Sequence, residues 1–430
     1  LGTAADVDKA VAAATRAFET YSQTTREERM ALLQAILDEF KKRHDDVAAA
    51  IMDEMGAPWS LARGAQALSG PQHIKAALRA LESYAFEERL GTTNVVREPI
   101  GVCGLITPWN WPMNQITLKV GAAIVSGCTM VLKPSEESPL DAMIFAELID
   151  EAGFPKGVFN LVNGDGVGVG SQMSSHKDID MISFTGSTRA GTLISKAAAD
   201  TLKKVHLELG GKGANIIFND ADDKAVKRGV LHMMNNTGQS CNAPSRMLVQ
   251  SDVYDKAVEE AGAVASQVTV GPASEDGRHI GPVVNESQFN KIQDLIQKGI
   301  DEGARLVAGG TGRPDGLNRG FFVKPTVFAD VTPDMTIARE EIFGPVLSVL
   351  KFRSDAEAIA IANSTEYGLV GGVFTRDLDR ATRCARQLRA GQVFVNEAVI
   401  GQMLHPMSHL GTDGNLERKQ KKYRTKQLSM

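Results

Sequence analysis

The sequence predicts an α/β fold with more than one domain, and three observations support this prediction. The chain has 430 residues, which is too many for one small core and suggests two or three domains. Between Gly101 and Leu207, short runs rich in valine and isoleucine alternate with helical patterns, and this alternation indicates a parallel sheet with helices on both faces. A second series of the same kind runs from about Arg246 to Val395.

The opening stretch, from about Asp6 to Ala85, is rich in alanine and is predicted to be helical. Its apolar residues recur at helical spacing, as in Val7, Ala10, Val11, Ala14 and Phe18. Breaks between several helices are expected at Pro58, Gly64, Gly70 and Pro71. The polar, β-prone segment from about Arg89 to Glu98 follows and is predicted to belong to a hairpin.

The two α/β series give the remaining elements. In the first series the predicted strands are Gly101–Ile106, Thr129–Leu132, Val158–Val162, Ile179–Phe184 and Val205–Leu207. The helices predicted between them are Asn114–Ser126, Pro139–Ala152, Gly166–Ser174 and Arg189–Ala199. In the second series, with helices between them, the predicted strands are Met247–Gln250, Val346–Phe352, Gly371–Thr375 and Gln392–Val395.

Composition and charge exclude several classes of protein. Apolar residues make up 43% of the chain and charged residues 23%, which is typical of a globular protein, and the net charge of -5 gives no reason to expect nucleic acid or an anionic membrane as partner. No apolar run approaches the roughly 20 residues that cross a bilayer. No signal peptide is evident, although the chain begins at Leu1 and a preceding segment is expected to be missing.

The four cysteines are widely spaced and form no CxxC pair. Cys103, Cys128, Cys241 and Cys384 therefore predict neither a disulfide framework nor a metal site, and they favour a reducing, cytoplasmic location. Cys103 and Cys128 have apolar neighbours and are interpreted as structural. Cys241 instead lies among small and polar residues in Asn-Asn-Thr-Gly-Gln-Ser-Cys-Asn, which suits a nucleophilic thiolate but also an idle cysteine in a polar loop.

Glu208 is the candidate general base. It ends an apolar strand just before Gly210 and Gly211, where a partly apolar pocket would raise its proton affinity. The alternative is that Glu208 occupies only the polar face of that strand.

Two glycine-containing segments are candidates for phosphate binding. Phe184-Thr-Gly-Ser-Thr188 lies at a strand end and opens a helix whose free N–H groups could bind a phosphate, although turns of this composition are common. The segment Val162-Asn-Gly-Asp-Gly-Val-Gly-Val-Gly170 also follows a strand. It lacks the GxGxxG spacing with an acidic residue some 20 residues on, so it is not an ordinary dinucleotide fingerprint.

Two further strand ends hold polar side chains. In Pro108-Trp-Asn-Trp-Pro112, two prolines fix the backbone around Asn110, whose amide could donate into a cleft; a rigid packed loop is the alternative. In Lys133-Pro-Ser-Glu136, Lys133 and Glu136 could both reach a ribose, or they could be exposed charges at a strand end.

Together and in this order, these motifs closely resemble the aldehyde dehydrogenase superfamily, of the hydrolytic, non-phosphorylating type. The resemblance covers roughly Asp6 to Asn396 and rests on the motifs PWNWP, KPSE, FTGS, LELGGK, GQSC and EEIFGPV. It implies a Rossmann-like coenzyme domain (1–80 and 100–209), an oligomerisation hairpin (81–99), a second α/β catalytic domain (210–399) and an atypical tail (400–430). The implied assembly is a homodimer or homotetramer.

The resemblance also implies NAD as the cofactor. Lys133 and Glu136 correspond to ligands of the adenosine ribose, and the Glu136 carboxylate would repel the extra phosphate of NADP. Gly186 and Ser187 correspond to pyrophosphate contacts, and Glu341 and Phe343 to contacts of the nicotinamide half. The further cofactor contacts implied are Ile106, Thr107, Pro108, Trp109, Ser135, Gly166, Phe184, Thr185, Leu209 and Gly210.

The chemistry implied by the resemblance is the oxidation of an aldehyde to a carboxylic acid through a thioester on Cys241. The Asn110 amide and the Cys241 N–H would stabilise the oxyanion, and Glu208 would activate water. Lys119 corresponds to a lysine sometimes placed in a proton relay beside that base. Two rivals stay open: an acyl-transferring relative that uses coenzyme A or phosphate, and a non-catalytic protein that keeps the fold.

The chain departs from the family pattern in three places. The family has some tens of residues before Asp6, and its PFGG…SG.GRE segment should follow Asn396, where this chain has a basic tail. An altered reading frame beginning between Ile400 and Ser408 is our hypothesis for that tail. After the PWN motif, Asn114 and Gln115 replace apolar residues of many relatives, which predicts a small polar aldehyde as substrate.

Overall fold

The computed structural model describes residues 1–275, 277–397 and 427–429, which divide into two compact units. The first unit comprises Leu1–Met55 and Trp59–Glu208. The second comprises Gly56–Pro58 with the described residues from Leu209 onwards. The predicted atypical tail lies outside the described residues, apart from 427–429.

The first unit opens with four helices: α1 (Ala4–Tyr21), α2 (Arg26–Met55), α3 (Trp59–Leu61) and α4 (Leu68–Ser83). A capping box starts α1, in which the Thr3 N–H donates to the Asp6 carboxylate at 2.8 Å. The predicted break at Gly70 and Pro71 is wrong, because both residues lie within α4. Pro71 falls in its first turn, directly after a π-helical segment (Ala62–Ala67), where the loss of one N–H is tolerated.

A hairpin follows, formed by β1 (Glu87–Leu90) and β2 (Thr93–Val96). The two strands pair antiparallel around Gly91, which has a positive φ. Nearly every residue of the hairpin is exposed, including Leu90 and Val96.

A five-stranded sheet, all parallel, forms the rest of the first unit. Its elements are β3 (Val102–Ile106), α5 (Pro112–Ser126), β4 (Thr129–Lys133), α6 (Leu140–Glu151), β5 (Phe159–Leu161), α7 (Ser171–Ser175), β6 (Met181–Thr185), α8 (Thr188–Ala199) and β7 (Lys204–Glu208). All five predicted strands and the parallel arrangement are confirmed. The predicted helix at Gly166–Ser174 instead begins as a π-helical turn, Gly166–Gly170, before α7.

The strand order of this sheet, β5-β4-β3-β6-β7, reverses direction at β3. The chain leaves β3 towards β4 on one side and later reaches β6 on the other side. Ligands of open parallel sheets bind at such a reversal, outside the carboxyl ends of the strands. In the first unit this position lies between the ends of β3 and β6.

The second unit is built on an eight-stranded sheet in its described residues, in the order β10-β11-β12-β9-β8-β13-β14-β15. The strands are β8 (Ala214–Ile217), β9 (Arg246–Gln250), β10 (Arg305–Ala308), β11 (Thr326–Ala329), β12 (Val346–Phe352), β13 (Val370–Phe374), β14 (Gln392–Val395) and β15 (Gln427–Ser429). The helices are α9 (Ala225–Met234), α10 (Tyr254–Ser266), α11 (Glu286–Asp301), α12 (Thr336–Arg339), α13 (Asp355–Ala362) and α14 (Leu378–Gln387). Two apolar clusters are packed in this unit, and the prediction misses β8, β10 and β11.

Among the residues that the structure describes, no helix is both long and apolar enough to cross a membrane.

Candidate active site

Asn110 lies in the loop between β3 and α5, at the carboxyl edge of the first unit's sheet. Only 5% of the residue is exposed, and its backbone carbonyl accepts a hydrogen bond from Gln66 Nε2 at 3.5 Å. Pro112 is the first residue of α5, where a proline is preorganised for the helix and its missing N–H costs nothing. The two prolines therefore hold Asn110 in a buried, defined position.

Glu208 and Lys119 occupy the same face of that sheet. Glu208 ends β7 and is half-buried, and its carbonyl accepts the Gly186 N–H at 3.0 Å. Lys119, on α5, is buried and donates to Ser183 Oγ at 3.1 Å. Burial lowers the pKa of Lys119 to about 8, and the negative charge of Glu208 opposes this shift.

Lys133 and Glu136 lie at the end of β4. The Lys133 ammonium is buried and donates to the carbonyls of Gly164 at 2.6 Å and Pro134 at 2.7 Å. It also pairs with Glu136 at 3.3 Å, and 45% of the Glu136 side chain is exposed. Burial lowers the pKa of Lys133, whereas Glu136 raises it. The accessible Glu136 carboxylate is thus held at the strand end by a fixed cation.

The remaining predicted cofactor contacts of the first unit gather around the same edge. Thr107 is 4% exposed, its N–H donates to the Lys133 carbonyl at 3.1 Å, and its hydroxyl has no hydrogen-bond partner among the described residues. Ser187 caps α8 by accepting the Ala190 N–H at 3.2 Å. Four further predicted contacts are buried: Ile106, Ser135, Phe184 and Thr185. Gly166, by contrast, is exposed in its π-helical turn.

A buried hydroxyl without a partner calls for a polar ligand or water. The Thr107 hydroxyl lies where β3 ends, beside the reversal in strand order. This edge of the first unit therefore fits a dinucleotide.

Cys241 lies in the second unit, on a loop with an unusual backbone. Asn236, Thr237 and Gly238 all have positive φ angles, of 52°, 57° and 70°. A left-handed conformation costs a non-glycine residue about 1–2 kcal/mol, most of all a β-branched one. The strain is held by Thr237 Oγ1, which donates to the Gly281 carbonyl at 3.0 Å, and by Gln239 Oε1, which accepts the Val284 N–H at 3.0 Å.

This loop leaves Cys241 half-buried, in contrast to the other three cysteines, which are fully buried. Unlike them, Cys241 is open to a reactant. Strained backbone of this kind concentrates at functional sites, where surrounding contacts maintain it.

Three glycines bring the other motifs of the second unit against the cysteine loop. A Cβ atom on Gly211 would overlap the Cys241 carbonyl, and one on Gly210 would overlap the Glu341 carboxylate. A Cβ atom on Gly238 would overlap the backbone of Gly344, directly after Phe343. Only glycine permits these approaches, so Gly210 and Gly211, the GQSC segment and the EEIFGPV segment form one cluster within the second unit.

Glu341 is fixed in this cluster by the backbone. Its Oε1 accepts the Gly211 N–H at 2.8 Å. Burial raises the pKa of Glu341, while that N–H, Lys291 and Lys212 lower it. Phe343 has a positive φ of 62° and Leu209 is buried.

The predicted site residues thus fall into two groups. Asn110, Lys119 and Glu208 belong to the first unit, with the predicted contacts of the adenosine half and pyrophosphate. Cys241, Glu341 and Phe343 belong to the second unit. Sequence reasoning missed Ser183 and Lys291, because nothing in their local sequence distinguishes them from ordinary strand or helix residues. It also gave no role to Lys212, although this residue ends the LELGGK motif.

The amides predicted to face a polar substrate are engaged inside the first unit. Asn114 is 5% exposed and its Nδ2 lies 2.8 Å from His73 Nε2. Gln115 Oε1 accepts from Thr185 Oγ1 at 3.2 Å, and its Nε2 donates to Asn114 Oδ1 at 3.4 Å. The expectation that these two amides line a substrate tunnel has no support from these contacts.

A parallel sheet with a reversal of strand order and a half-buried cysteine on a strained loop are together consistent with a dinucleotide-dependent dehydrogenase that uses a thiol nucleophile. Comparison with known proteins makes the class specific. The family model for the aldehyde dehydrogenase family matches residues 1–423. This chain belongs to the aldehyde dehydrogenase family.

Individual relatives agree. A 3-succinoylsemialdehyde-pyridine dehydrogenase of a Pseudomonas species is 54% identical over 402 residues, 93% of this chain and 84% of the relative. An aldehyde dehydrogenase of Bartonella henselae is 55% identical with a TM-score of 0.92, over 93% of this chain and 85% of that one. A cysteine-to-alanine variant of aldehyde dehydrogenase C from Pseudomonas syringae, crystallised with NAD+ and octanal, is 49% identical with a TM-score of 0.92, over 94% and 83%.

These comparisons confirm three predictions: the family, the α/β fold with parallel sheets, and NAD-dependent oxidation of an aldehyde as the reaction.

Proposed function

We propose that this chain carries out that reaction by covalent catalysis on Cys241. The observation that supports the proposal most directly is the cysteine loop, where three successive left-handed residues are held by side-chain hydrogen bonds and leave the cysteine half-buried. The thiolate of Cys241 attacks the aldehyde carbon and forms a thiohemiacetal oxyanion. The Asn110 amide and the Cys241 N–H stabilise this charge, and the loss of one such donor costs about 10²–10³ in rate.

The chain's own groups then resolve the intermediate. When bound, NAD supplies the acceptor for the hydride that leaves the thiohemiacetal, so that a thioester remains on Cys241. Glu208 removes a proton from water, and the resulting hydroxide attacks the thioester carbon. The C–S bond breaks, the carboxylic acid leaves, and the thiolate of Cys241 is restored.

We propose that residues 1–80 and 100–209 form the domain that binds most of the coenzyme and that residues 210–399 form the catalytic domain. The Glu136 carboxylate accepts from the adenosine ribose, with Lys133 beside it, and Gly186 and Ser187 at the start of α8 receive the pyrophosphate. Glu341 and Phe343 hold the nicotinamide half. Two observations support this assignment: the Thr107 hydroxyl has no hydrogen-bond partner among the described residues, and the strand order reverses at β3.

The substrate we propose is a polar semialdehyde. The support for a polar substrate is the Pseudomonas relative named for a succinoylsemialdehyde. Asn114 and Gln115 do not add support, because they are hydrogen-bonded to other residues of the first unit. The octanal complex of a 49% identical enzyme supports the competing choice, a long alkanal. Comparing kcat/KM for succinic semialdehyde and octanal decides between them, and a higher value for octanal would reject the polar assignment.

We also propose that the chain forms a homo-oligomer in the cytoplasm. The support is the exposed hairpin, since an isolated two-stranded hairpin is marginally stable alone and this one exposes Leu90 and Val96. The four free cysteines favour a reducing compartment.

The mechanism is tested by following NADH formation over a panel of aldehydes with Cys241→Ala as the blank. We expect no NADH from that variant and wild-type activity from Cys384→Ala, which removes a buried cysteine of α14. NADH formation by Cys241→Ala would reject the proposal. Adding coenzyme A and measuring acyl-CoA separates hydrolysis from acyl transfer, and we expect free acid only.

A further inference from the structure

Two side-chain hydrogen bonds join helix α5 to strand β6, each between one residue of the helix and one residue of the strand. Gln115 and Lys119 lie one turn apart on α5, and Ser183 and Thr185 lie on one face of β6. Lys119 Nζ donates to Ser183 Oγ at 3.1 Å, and Thr185 Oγ1 donates to Gln115 Oε1 at 3.2 Å. These bonds fix the helix that follows Asn110 in register over the strand.

Strand β7 places Glu208 on the same face. The parallel ladder pairs Thr185 with Glu208 and Ser183 with His206. Paired residues of neighbouring parallel strands point to the same side of the sheet. Glu208 therefore shares the face over which Lys119 lies, and the two charges interact.

Lys119 is a buried cation, and among the described residues its side-chain acceptor is Ser183. Lys119 and Ser183 are each 8% exposed, and the Ser183 hydroxyl accepts the hydrogen bond of the ammonium. Helix α4, which packs against α5, carries the titratable residues His73, Lys75, Arg79 and Glu82, and strand β7 carries Lys204, His206 and Glu208. Of these, Glu208 is the charged group that acts on Lys119.

Building on the proposed function, we propose that Ser183 is a positioning residue for the hydrolytic step. Its hydroxyl fixes the Lys119 ammonium on the face of the sheet that holds Glu208, so that the positive charge of Lys119 keeps this base ionised. Neither residue exchanges atoms with the substrate. Ser183 acts through Lys119, and Lys119 acts through Glu208.

Loss of the Ser183 hydroxyl removes the acceptor that stabilises the charged form of Lys119. The pKa of Lys119, which burial places at about 8, then falls further. We expect the corresponding inflection of the rate of thioester hydrolysis to move about one pH unit lower, a tenfold change in the ratio of ammonium to amine.

The test follows hydrolysis of an activated ester across a wide pH range, because such an ester acylates Cys241 without hydride transfer. The hydrolysis rate of the wild type, plotted against pH, should show an inflection near the pKa of Lys119. The Lys119→Met variant should lack this inflection. Ser183→Ala and Ser183→Cys should move the inflection to lower pH, and Ser183→Thr, which keeps the hydroxyl, should restore it. The cysteine variant nearly preserves side-chain volume, so one substitution remains informative if the other unfolds.

Ser348→Ala is the matched control for a merely structural loss. Ser348 is a fully buried strand serine of the second unit, whose hydroxyl donates to the Ile337 carbonyl at 3.2 Å. The Ser348→Ala variant should be less stable than the wild type, and the inflection in its pH profile of ester hydrolysis should stay at the wild-type pH. An unmoved inflection in both Ser183 variants, or no inflection dependent on Lys119, overturns this proposal. Activity of Cys241→Ala overturns instead the covalent mechanism on which it rests.

Discussion

The Glu341 carboxylate is bonded to the backbone of Gly211, whose N–H it accepts at 2.8 Å. The same glycine packs so closely on the Cys241 carbonyl that a Cβ atom at this position would overlap it. One backbone position thus touches both the proposed nucleophile loop and a proposed nicotinamide contact. The double glycine of the LELGGK motif is explained by this packing rather than by a turn, since neither Gly210 nor Gly211 has a positive φ.

We expect Gly211→Ala to reduce kcat/KM for the aldehyde about 100-fold. The added methyl must displace the Cys241 loop, and a misplacement of about 1 Å near the chemistry costs on that order. The measurement is steady-state NADH formation, with thermal unfolding to confirm that the variant folds. Gly64→Ala is the control, because a Cβ atom there meets nothing within 4 Å. Equal activity of the two variants would contradict the role assigned to this packing.

Glu341→Gln should raise the KM for NAD about tenfold, because the charged acceptor proposed for the nicotinamide ribose is replaced by a neutral amide. A pH effect should accompany it. Since burial raises the pKa of Glu341, its carboxylate takes up a proton at a higher pH than usual. The KM for NAD of the wild type should therefore rise on acidification, whereas that of the variant should respond less. Parallel pH profiles would argue against Glu341 as a coenzyme ligand.

The sequence predicted the elements of the first unit well, because valine- and isoleucine-rich runs and helical spacing record burial directly. It failed at Pro71, where a π-helical segment before α4 absorbs the irregularity that a proline usually causes. It also missed β8, β10 and β11, because each has only four residues and so short an apolar run does not distinguish a strand from a helix or loop.

At the candidate site, too, the sequence predicts features that depend on neighbouring residues and misses contacts that form only in the folded chain. The small polar residues around Cys241 can be recognised in the sequence. The left-handed backbone of Asn236 and Thr237 cannot, because neither residue type requires this conformation. Ser183 was missed because its hydrogen bond with Lys119 forms only when α5 lies over β6. The contact of Asn114 with His73 could not be predicted, because His73 is remote in sequence.

Leu90→Lys together with Val96→Lys should disrupt the proposed homo-oligomer without unfolding the subunit. Both side chains are more than half exposed, so charging them costs little in an isolated chain but buries unpaired charge in an interface. Light scattering coupled to size exclusion measures the mass, and circular dichroism reports the fold. A control pair, Leu193→Lys with Leu378→Lys, changes two exposed leucines on helices. A mass unchanged by the hairpin variant would refute its role in assembly.

The stability of the protein should depend on pH through Asp141. Asp141 is fully buried in α6, and neither carboxylate oxygen has a hydrogen-bond partner among the described residues. Burial raises its pKa well above the ordinary value, with the negative charge of Glu54 adding to the effect. Glu54 accepts the Leu140 N–H at 3.0 Å, and burial raises the pKa of Glu54 to about 7.

The sign follows from proton uptake. The pKa of Asp141 is about 3.9 in the unfolded state and is raised in the folded state. At pH values between these two pKa values, the folded state binds the Asp141 proton and the unfolded state does not. The free energy of unfolding therefore falls as pH rises through this window, by about 1.4 kcal/mol per pH unit for Asp141. Asp141→Asn is neutral in both states, so it should remove the contribution of Asp141 to this slope, leave the contribution of Glu54, and be more stable than the wild type at neutral pH. Urea unfolding over a pH series measures both, with exposed Asp200→Asn as the control. A variant that keeps the wild-type slope would show that Asp141 is ionised in the fold.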